Sequence, residues 1–304
     1  MIEQNSTEPL VSIVIPCYNH EQFVQEAIQS VIDQDYHNIE FIIIDDGSTD
    51  GSVEKIKEMI PVCQSRFNRF EFRHQPNKGL GATLNEALKW CEGKYFSPLA
   101  SDDIALPYKT SYSVEKFKST ECDVVFGLVN EFTNAKNHIN NTQSIMLHTF
   151  ADLLFQKNFP KAPTAMLKVD GIKEIGGYDE KLKIEDWYMW LTLTEKGCKL
   201  VTFPQPLTRY RRHEGNITNN FTVMHEARIE VLSHFKNNPM YESAVENAYV
   251  LEARRSANVS FSRAMQFLNK IGWFRKVSLL ILLKSLTPKL LIGLKRSYMG
   301  KKNL

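Results

Sequence analysis

From Val11 to Val129 the chain alternates between two hydrophobic rhythms. Val11-Ser12-Ile13-Val14-Ile15 is short, β-branched and stopped by Pro16, the mark of a buried strand. Residues 21–33 then place Phe23, Ala27, Ile28, Val31 and Ile32 at helical spacing. Ile39 to Ile44 is a second buried strand, ended by Asp45-Asp46-Gly47-Ser48, and Asp50 is placed to cap a helix running towards Ile60. Phe70–Arg73 and Tyr95–Leu99 read as strands around a helix over 81–91. Pro107 suits the first turn of another helix, and Cys122–Val129 is one more strand. Such alternation predicts an α/β fold, a parallel, doubly wound sheet with helices on both faces.

Residues 130–220 are less regular. They carry a Gly176-Gly177 turn, a helix from Asp186 to Lys196 and a strand around Leu200–Phe203. Beyond Phe221 only helical spacing remains, with Tyr241, Ala244, Val245, Ala248 and Tyr249 in step and few Gly or Pro. The pattern predicts two regions, a larger one over 1–220 and a helical, basic one over 221–304.

Three polar clusters each directly follow a predicted strand: Pro16-Cys17-Tyr18-Asn19, Asp45-Asp46 and Ser101-Asp102-Asp103. In an open α/β sheet the carboxyl ends of the strands form the rim where ligands bind. Four carboxylates gathered there repel one another unless a cation or hydrogen-bond donors sit among them. A divalent metal with a bound nucleotide supplies both. Asp50 reads as a helix cap, whereas Asp45 serves equally well as a turn residue or a ligand contact. For Asp102-Asp103, capping uses one carboxylate and leaves the second without a structural role, which favours function. Glu185-Asp186 open the helix bearing Trp187, Trp190 and Leu191. Acids there also favour the helix dipole, so spacing alone leaves capping and catalysis both open.

Composition narrows the classes. The net charge of +2 over 304 residues implies no nucleic-acid partner. The five cysteines are scattered and odd in number, which argues against a disulfide framework or structural zinc and fits a reducing compartment. The polar start, Met1-Ile2-Glu3-Gln4-Asn5, lacks the run of a secretion signal, and no stretch is long and apolar enough to predict a transmembrane helix. Neither a dinucleotide G-x-G-x-x-G nor a P-loop occurs.

Seven blocks stand in order along the chain: Val11–Asn19, Ile42–Gly51, Asn77-Lys78-Gly79, Ser101–Asp103, Gly176–Glu180, Glu185-Asp186 and Tyr210–Thr218. Each is weak alone. The ordered set resembles glycosyltransferase family 2 over residues 10–220. That resemblance implies the GT-A nucleotide-diphospho-sugar transferase fold, a mixed doubly wound sheet, here with a helical C-terminal extension. It implies that Pro16, Tyr18, Asn19 and Asp46 hold the base and ribose of a nucleoside-diphosphate sugar, with Asn77 another base contact and uridine the base. It makes Asp103 the direct ligand of Mn²⁺ or Mg²⁺, with Asp102 nearer the ribose or the metal. Asp186 becomes the general base with Glu185 beside it, and Arg211 and His213 meet the diphosphate or the metal. Two positions depart from the family pattern. Leu84 stands where many members carry Arg before the Asn aligned with Asn85, and Ala100 stands where another acid is frequent. Both read as tuning of donor contacts, with Lys78 able to replace one.

The chemistry asks for such residues. A leaving diphosphate gathers negative charge, which a hard divalent cation stabilises, and Mg²⁺ or Mn²⁺ prefers oxygen ligands. The acceptor hydroxyl loses its proton to a positioned carboxylate as it attacks the opposite face of the anomeric carbon, so one displacement inverts the configuration.

After Glu252 there is no acidic residue. Arg254, Arg255, Arg263, Lys270, Arg275, Lys276 and further lysines alternate with Trp273, Phe274 and leucine-rich runs, a pattern suited to peripheral contact with an anionic membrane. The competing explanation is a solvated basic face packed on the catalytic domain or on a partner subunit. Together these features predict a cytoplasmic enzyme on the inner face of the cell membrane. Its acceptor would be a saccharide or lipid-linked saccharide in surface-polysaccharide synthesis. A non-catalytic nucleotide-sugar-binding subunit of a synthase complex is the alternative, opposed by the presence of Asp186 beside both metal-motif aspartates. A nucleotidyltransferase would usually carry a Gly-rich basic N-terminal loop, which Pro16–His20 is not.

Overall fold

The computed structural model describes residues 8–133, 137–139, 144–216, 220–256 and 266–267. The chain divides into two compact units, Met1–Asn216 and Ile217–Leu304. In the first, the elements run β1 Val11–Cys17, α1 Val24–Ile32, β2 Ile39–Asp45, α2 Ser52–Arg66, β3 Phe70–His74, α3 Leu80–Trp90, β4 Tyr95–Pro98, β5 Ile104–Ala105 and α4 Lys109–Ser119. They continue with β6 Val124–Phe132, β7 Asn137–Ile139, β8 Met146–His148, α5 Phe150–Leu154, a 3-10 turn at Ala162–Thr164, β9 Met166–Lys168, α6 Val169–Glu174, α7 Glu185–Glu195 and β10 Leu200–Arg211.

The sheet order is β3-β2-β1-β4-β9-β6-β10-β5, with β7 on β6 and β8 on β10. β1 to β4 are all parallel, as the early alternation predicts. The later half adds antiparallel strands, as the family resemblance implies. β9 runs antiparallel between β4 and β6, and β5 and β8 run antiparallel to β10, so the sheet is mixed. β9 follows a loop and a 3-10 turn instead of the crossover helix that a parallel neighbour needs.

β1 and β2 are buried almost throughout because helices cover both faces. Ile13, Ile15, Phe41 and Ile43 point one way and pack with Val24, Ile28 and Val31 of α1 and with Ile56 of α2. The alternate residues Val14, Ile42 and Ile44 point the other way, on the side where α3 packs against both strands. Each fully buried aliphatic side chain contributes about 1.5–3 kcal/mol. α2 continues past the expected Ile60, through Pro61 to Arg66. Asp50 does hold its start, accepting the Ser52 N–H at 3.0 Å and the Ser52 hydroxyl at 2.5 Å.

β10 is three times the expected length, because Pro204 and Pro206 interrupt its apolar pattern without ending it. Register shifts between Thr202 and Pro206, and again between Pro206 and Thr208, absorb the prolines while the strand stays beside β6.

The register sets the functional rim. Cys17 pairs with Asp45, and Asp45 with His74, so β1, β2 and β3 end in one row. β10 brings Arg211 beside Phe132 at the end of β6. In the second unit, α8 Phe221–Ser233 and α9 Tyr241–Ser256 contain a buried ion pair, Arg228 to Glu252 at 3.3 Å. Arg254 and Arg255 are exposed on α9. From Arg263 onward the basic tail lies outside the described residues, apart from 266–267. No helix among the described residues is long and apolar enough to cross a membrane.

Candidate active site

The loops after β1, β2 and β4 are stitched together at the rim. Asn19 has φ +54°, a left-handed conformation that Asn tolerates better than most residues. Its N–H donates to the Ser48 hydroxyl at 2.8 Å, and its Oδ1 accepts the Thr49 N–H at 2.8 Å. His20 donates its N–H to the Ser52 hydroxyl and places Nδ1 2.7 Å from the Ser101 hydroxyl. Pro16, the last-but-one residue of β1, pairs with Ile44. Tyr18 presents its ring to solvent at 47 % exposure, available as a flat apolar surface beside the rim.

The Asp45-Asp46 pair is saturated by donors. Asp45, fully buried, accepts the Ser48 N–H and hydroxyl and lies 2.9 Å from His74 Nδ1, so it closes a turn and leaves no face for a ligand. Asp46 accepts Gln75 Nε2 and Lys78 N–H at 2.9 Å and Gly79 N–H at 2.8 Å. Gly47, at φ +77°, lets this loop lie against the exposed Asn77, since a Cβ there would sit 2.7 Å from the Asn77 nitrogen.

Asp102 and Asp103 face opposite ways. Asp103 is fully buried. Its Oδ1 accepts the Arg211 N–H at 2.9 Å, while its Oδ2 has no partner among the described residues. The pairing follows from register, because Ile104 of β5 sits opposite Arg209 of β10. Burial, followed by the charge of Asp102, pushes the Asp103 carboxyl well above the usual carboxylate range. Behind it the buried Lys109 ammonium, held by the Pro163 carbonyl at 2.9 Å, is driven down to about 8 by burial, with Asp103 opposing. Asp102 instead meets His213 Nε2 at 3.0 Å and Asn216 Nδ2 at 3.3 Å.

One ligand atom each from His20, Asp102 and His213 lie within 4.8 Å of one another. They come from the loops after β1, β4 and β10, so only the folded sheet assembles them. A carboxylate with two imidazoles suits Mn²⁺ and its first-row neighbours better than Mg²⁺. Ser101 fixes the His20 ring through Nδ1, the kind of outer support that metal-binding histidines receive. Burial lowers the His20 pKa, partly countered by Asp102.

Two of the expected site residues turn inward from the rim. The resemblance implies Asp103 as the direct metal ligand; its carboxylate is fully buried with Oδ1 on the Arg211 N–H, and Asp102 lies nearer the surface. The same resemblance puts Arg211 at the diphosphate, but its guanidinium is occupied by the protein. Nε donates to the Asp102 carbonyl at 2.9 Å, Nη2 meets Glu26 at 2.7 Å, and the group lies over Phe23 and Phe132. Arg211 therefore braces the Asp102 loop. Sequence reasoning passed over His20, although it directly follows the Pro16–Asn19 cluster, and passed over Asn216.

Glu185 and Asp186 begin α7. Asp186 Oδ1, in the first turn of the helix, accepts the Trp187 N–H at 2.7 Å. Burial raises Asp186 to about 6. Burial with the charge of Asp186 raises Glu185 to about 8. A carboxyl poised near 6 suits a group that must accept a proton at neutral pH. Tyr178, buried beside both acids, belongs to the Gly176–Glu180 turn, which rests on α3.

Comparison with known proteins identifies the family and the fold. The model for "Glycosyl transferase family 2" matches residues 12–173. An Escherichia coli protein, "UDP-Glc:alpha-D-GlcNAc-diphosphoundecaprenol beta-1,3-glucosyltransferase WfaP", is 31% identical over 215 residues, 69% of this chain and 80% of its own. An uncharacterized glycosyltransferase of Rickettsia prowazekii (strain Madrid E) is 27% identical over 96% of this chain and 89% of its own. Among solved structures, S. aureus TarS 1-349 in complex with UDP-GlcNAc superposes with a TM-score of 0.59 at 16% identity, covering 86% of this chain and 88% of that one. The Pyrobaculum calidifontis mannosyltransferase PcManGT, in complex with GDP-Man and Mn²⁺, gives 0.61 at 13% identity, covering 95% and 88%. The fold is GT-A, and the chain belongs to glycosyl transferase family 2.

Proposed function

We propose that this protein transfers a sugar from a UDP-sugar to a hydroxyl of a lipid-linked saccharide, inverting the anomeric carbon, with a divalent cation at His20, Asp102 and His213. The observation that carries the proposal is the convergence of those three ligand atoms at the rim, next to the loop of Asp46. In this scheme the exposed ring of Tyr18 stacks on the base, and Asp46 and Asn77 line the nucleotide side with Pro16. Asn19 contributes by holding the loop that shapes this side. A cation bound at the three ligands would neutralise charge on the diphosphate. Asp186, ionised above about pH 6, takes the acceptor proton. Glu185 stays neutral beside it, which limits the charge gathered around the acceptor.

The lipid-linked acceptor is supported by the name of the E. coli relative, and surface-polysaccharide synthesis follows from that chemistry. Contact of the basic region beyond Glu252 with anionic lipid would keep the enzyme on the cytoplasmic face of the membrane, near such an acceptor. In this reading residues 1–220 form the catalytic domain and 221–304 the helical extension.

A thermal-shift screen of UDP-glucose, UDP-GlcNAc and GDP-mannose, with and without Mn²⁺, tests the proposal, since a ligand bound to the native state raises its stability. One UDP-sugar should raise Tm only when Mn²⁺ is present, and Asp102→Ala should abolish that shift. Donor binding indifferent to both Mn²⁺ and Asp102→Ala would rule out the metal role.

A further inference from the structure

One side chain holds the Gly176–Glu180 turn on α3. Asn85 Oδ1 accepts the Tyr178 N–H at 2.9 Å, and Asn85 Nδ2 donates to the Tyr178 carbonyl and to Glu180 Oε1, both at 2.9 Å. The amide thus pairs with both backbone groups of Tyr178, as a neighbouring strand would. Two glycines let the surfaces approach closely. A Cβ at Gly177, φ +89°, would lie 2.6 Å from Asn85 Oδ1, and a Cβ at Gly81, one helical turn before Asn85, would lie 3.0 Å from the Asp179 carbonyl.

The other end of α3 is gripped at the nucleotide side. Asp46 accepts the N–H groups of Lys78 and Gly79 just before the helix. Gln75 bonds both Asp46 and Thr83, the latter inside α3. The helix spans 11 residues, about 16 Å at 1.5 Å per residue, and packs on β1 and β2, so it moves as one piece. From the clamped turn the Tyr178 side chain enters the buried space next to Glu185 and Asp186.

We propose that α3 is a strut that couples nucleotide occupancy at Asp46 to the placement of Glu185-Asp186, with Asn85 as the positioning residue at its far end. The inference rests on the reading of Asp46 as a nucleotide contact and Asp186 as the base. It adds a residue for which no ligand contact is claimed. A plain fold staple would contribute stability and leave donor binding and turnover linked as before. A strut makes the turn respond to a ligand it does not touch.

Amide hydrogen exchange on the full chain with UDP and Mn²⁺ separates the two. In the unaltered protein, UDP with Mn²⁺ should slow exchange both at residues 75–79 and at residues 176–182. In Asn85→Ala, protection at 75–79 should persist with UDP affinity changed less than about threefold, while the response at 176–182 disappears. Turnover of the UDP-sugar found by the screen should fall about 10–100-fold with donor KM little changed. Gly177→Ala, which pushes on the same amide from the other side, should reproduce this split if Asn85→Ala fails to fold. Asn85→Asp, which keeps the acceptor for the Tyr178 N–H, should recover part of the turnover. Protection at 75–79 without any at 176–182 in the unaltered protein overturns the strut alone. Absence of protection at both overturns the nucleotide reading and the strut with it. Unchanged turnover in both Asn85→Ala and Gly177→Ala also overturns the strut.

Discussion

Asp45 and Asp46 meet backbone N–H groups, a serine hydroxyl, a glutamine amide and a histidine within a few residues of β2 and α3, so their charge is absorbed by the protein. Asp103 keeps one oxygen without a partner among the described residues, and Glu185-Asp186 are held in burial that lifts both of their pKa values. The first pair is preorganised and shapes the loop that the proposed function assigns to the nucleotide. In the other two, burial favours the neutral form of the carboxyls, which makes their charge sensitive to a proton taken up or lost. On the proposed reading the contrast separates a binding side of the site from a reacting side.

The largest effect should come from Asp186→Asn. Loss of the base should cut turnover by about 10²–10⁴-fold while donor affinity stays nearly unchanged, measured by steady-state kinetics beside UDP titration. In the unaltered enzyme the base must be ionised, so kcat should fall as pH drops through about 6, not through the usual carboxylate range near 4. Turnover that is flat from about pH 7 to about pH 5 would remove Asp186 from the reaction.

A smaller effect, of another kind, is expected at the binding side. In Asp46→Asn one amide N–H₂ must face the donors of Lys78, Gly79 or Gln75. One lost bond and one opposed donor cost about 1–3 kcal/mol, several degrees in Tm for a unit of this size. Donor affinity should weaken with it, while the acid limb of the rate profile stays in place. A shifted acid limb with unaltered Tm would erase the distinction between the two sides.

Glu185→Gln should act through stability and not through donor affinity, and its effect should depend on pH. The Glu185 carboxyl is raised from 4.5 to about 8 in the fold. The stability of its neutral form is fully present below about 4.5 and lost as pH rises through about 8. A glutamine in its place cannot ionise and escapes that loss. Thermal denaturation should therefore find the variant increasingly favoured over the parent from about pH 5 to about pH 8.5. A constant difference would show that Glu185 titrates alike in the folded and the unfolded chain.

The early strands and helices were legible because β1, β2, α1 and α3 each carry their burial pattern in a local period of two or 3.6 residues. β10 was cut short in the reading because two prolines end most strands, and only the partner β6 shows that bulges accommodate them. β9 was missed altogether. Three residues give no period, and their direction depends on which strands they join.

The local pattern of the chain thus determined its alternating strands and helices, its two-faced core and the gathering of acids at the carboxyl ends of strands, since periodicity and the register of parallel strands follow from residues near one another. Only the tertiary structure decided which of two adjacent aspartates faces the rim. Asp102 and Asp103 are equivalent in sequence and differ through Arg211, His213 and Asn216, partners 108 to 114 positions away. Separation in sequence also hid His20 as a neighbour of Asp102, and hid the use of Arg211 as a brace. A side chain's direction is set by the long-range groups that satisfy it, and no local period records them.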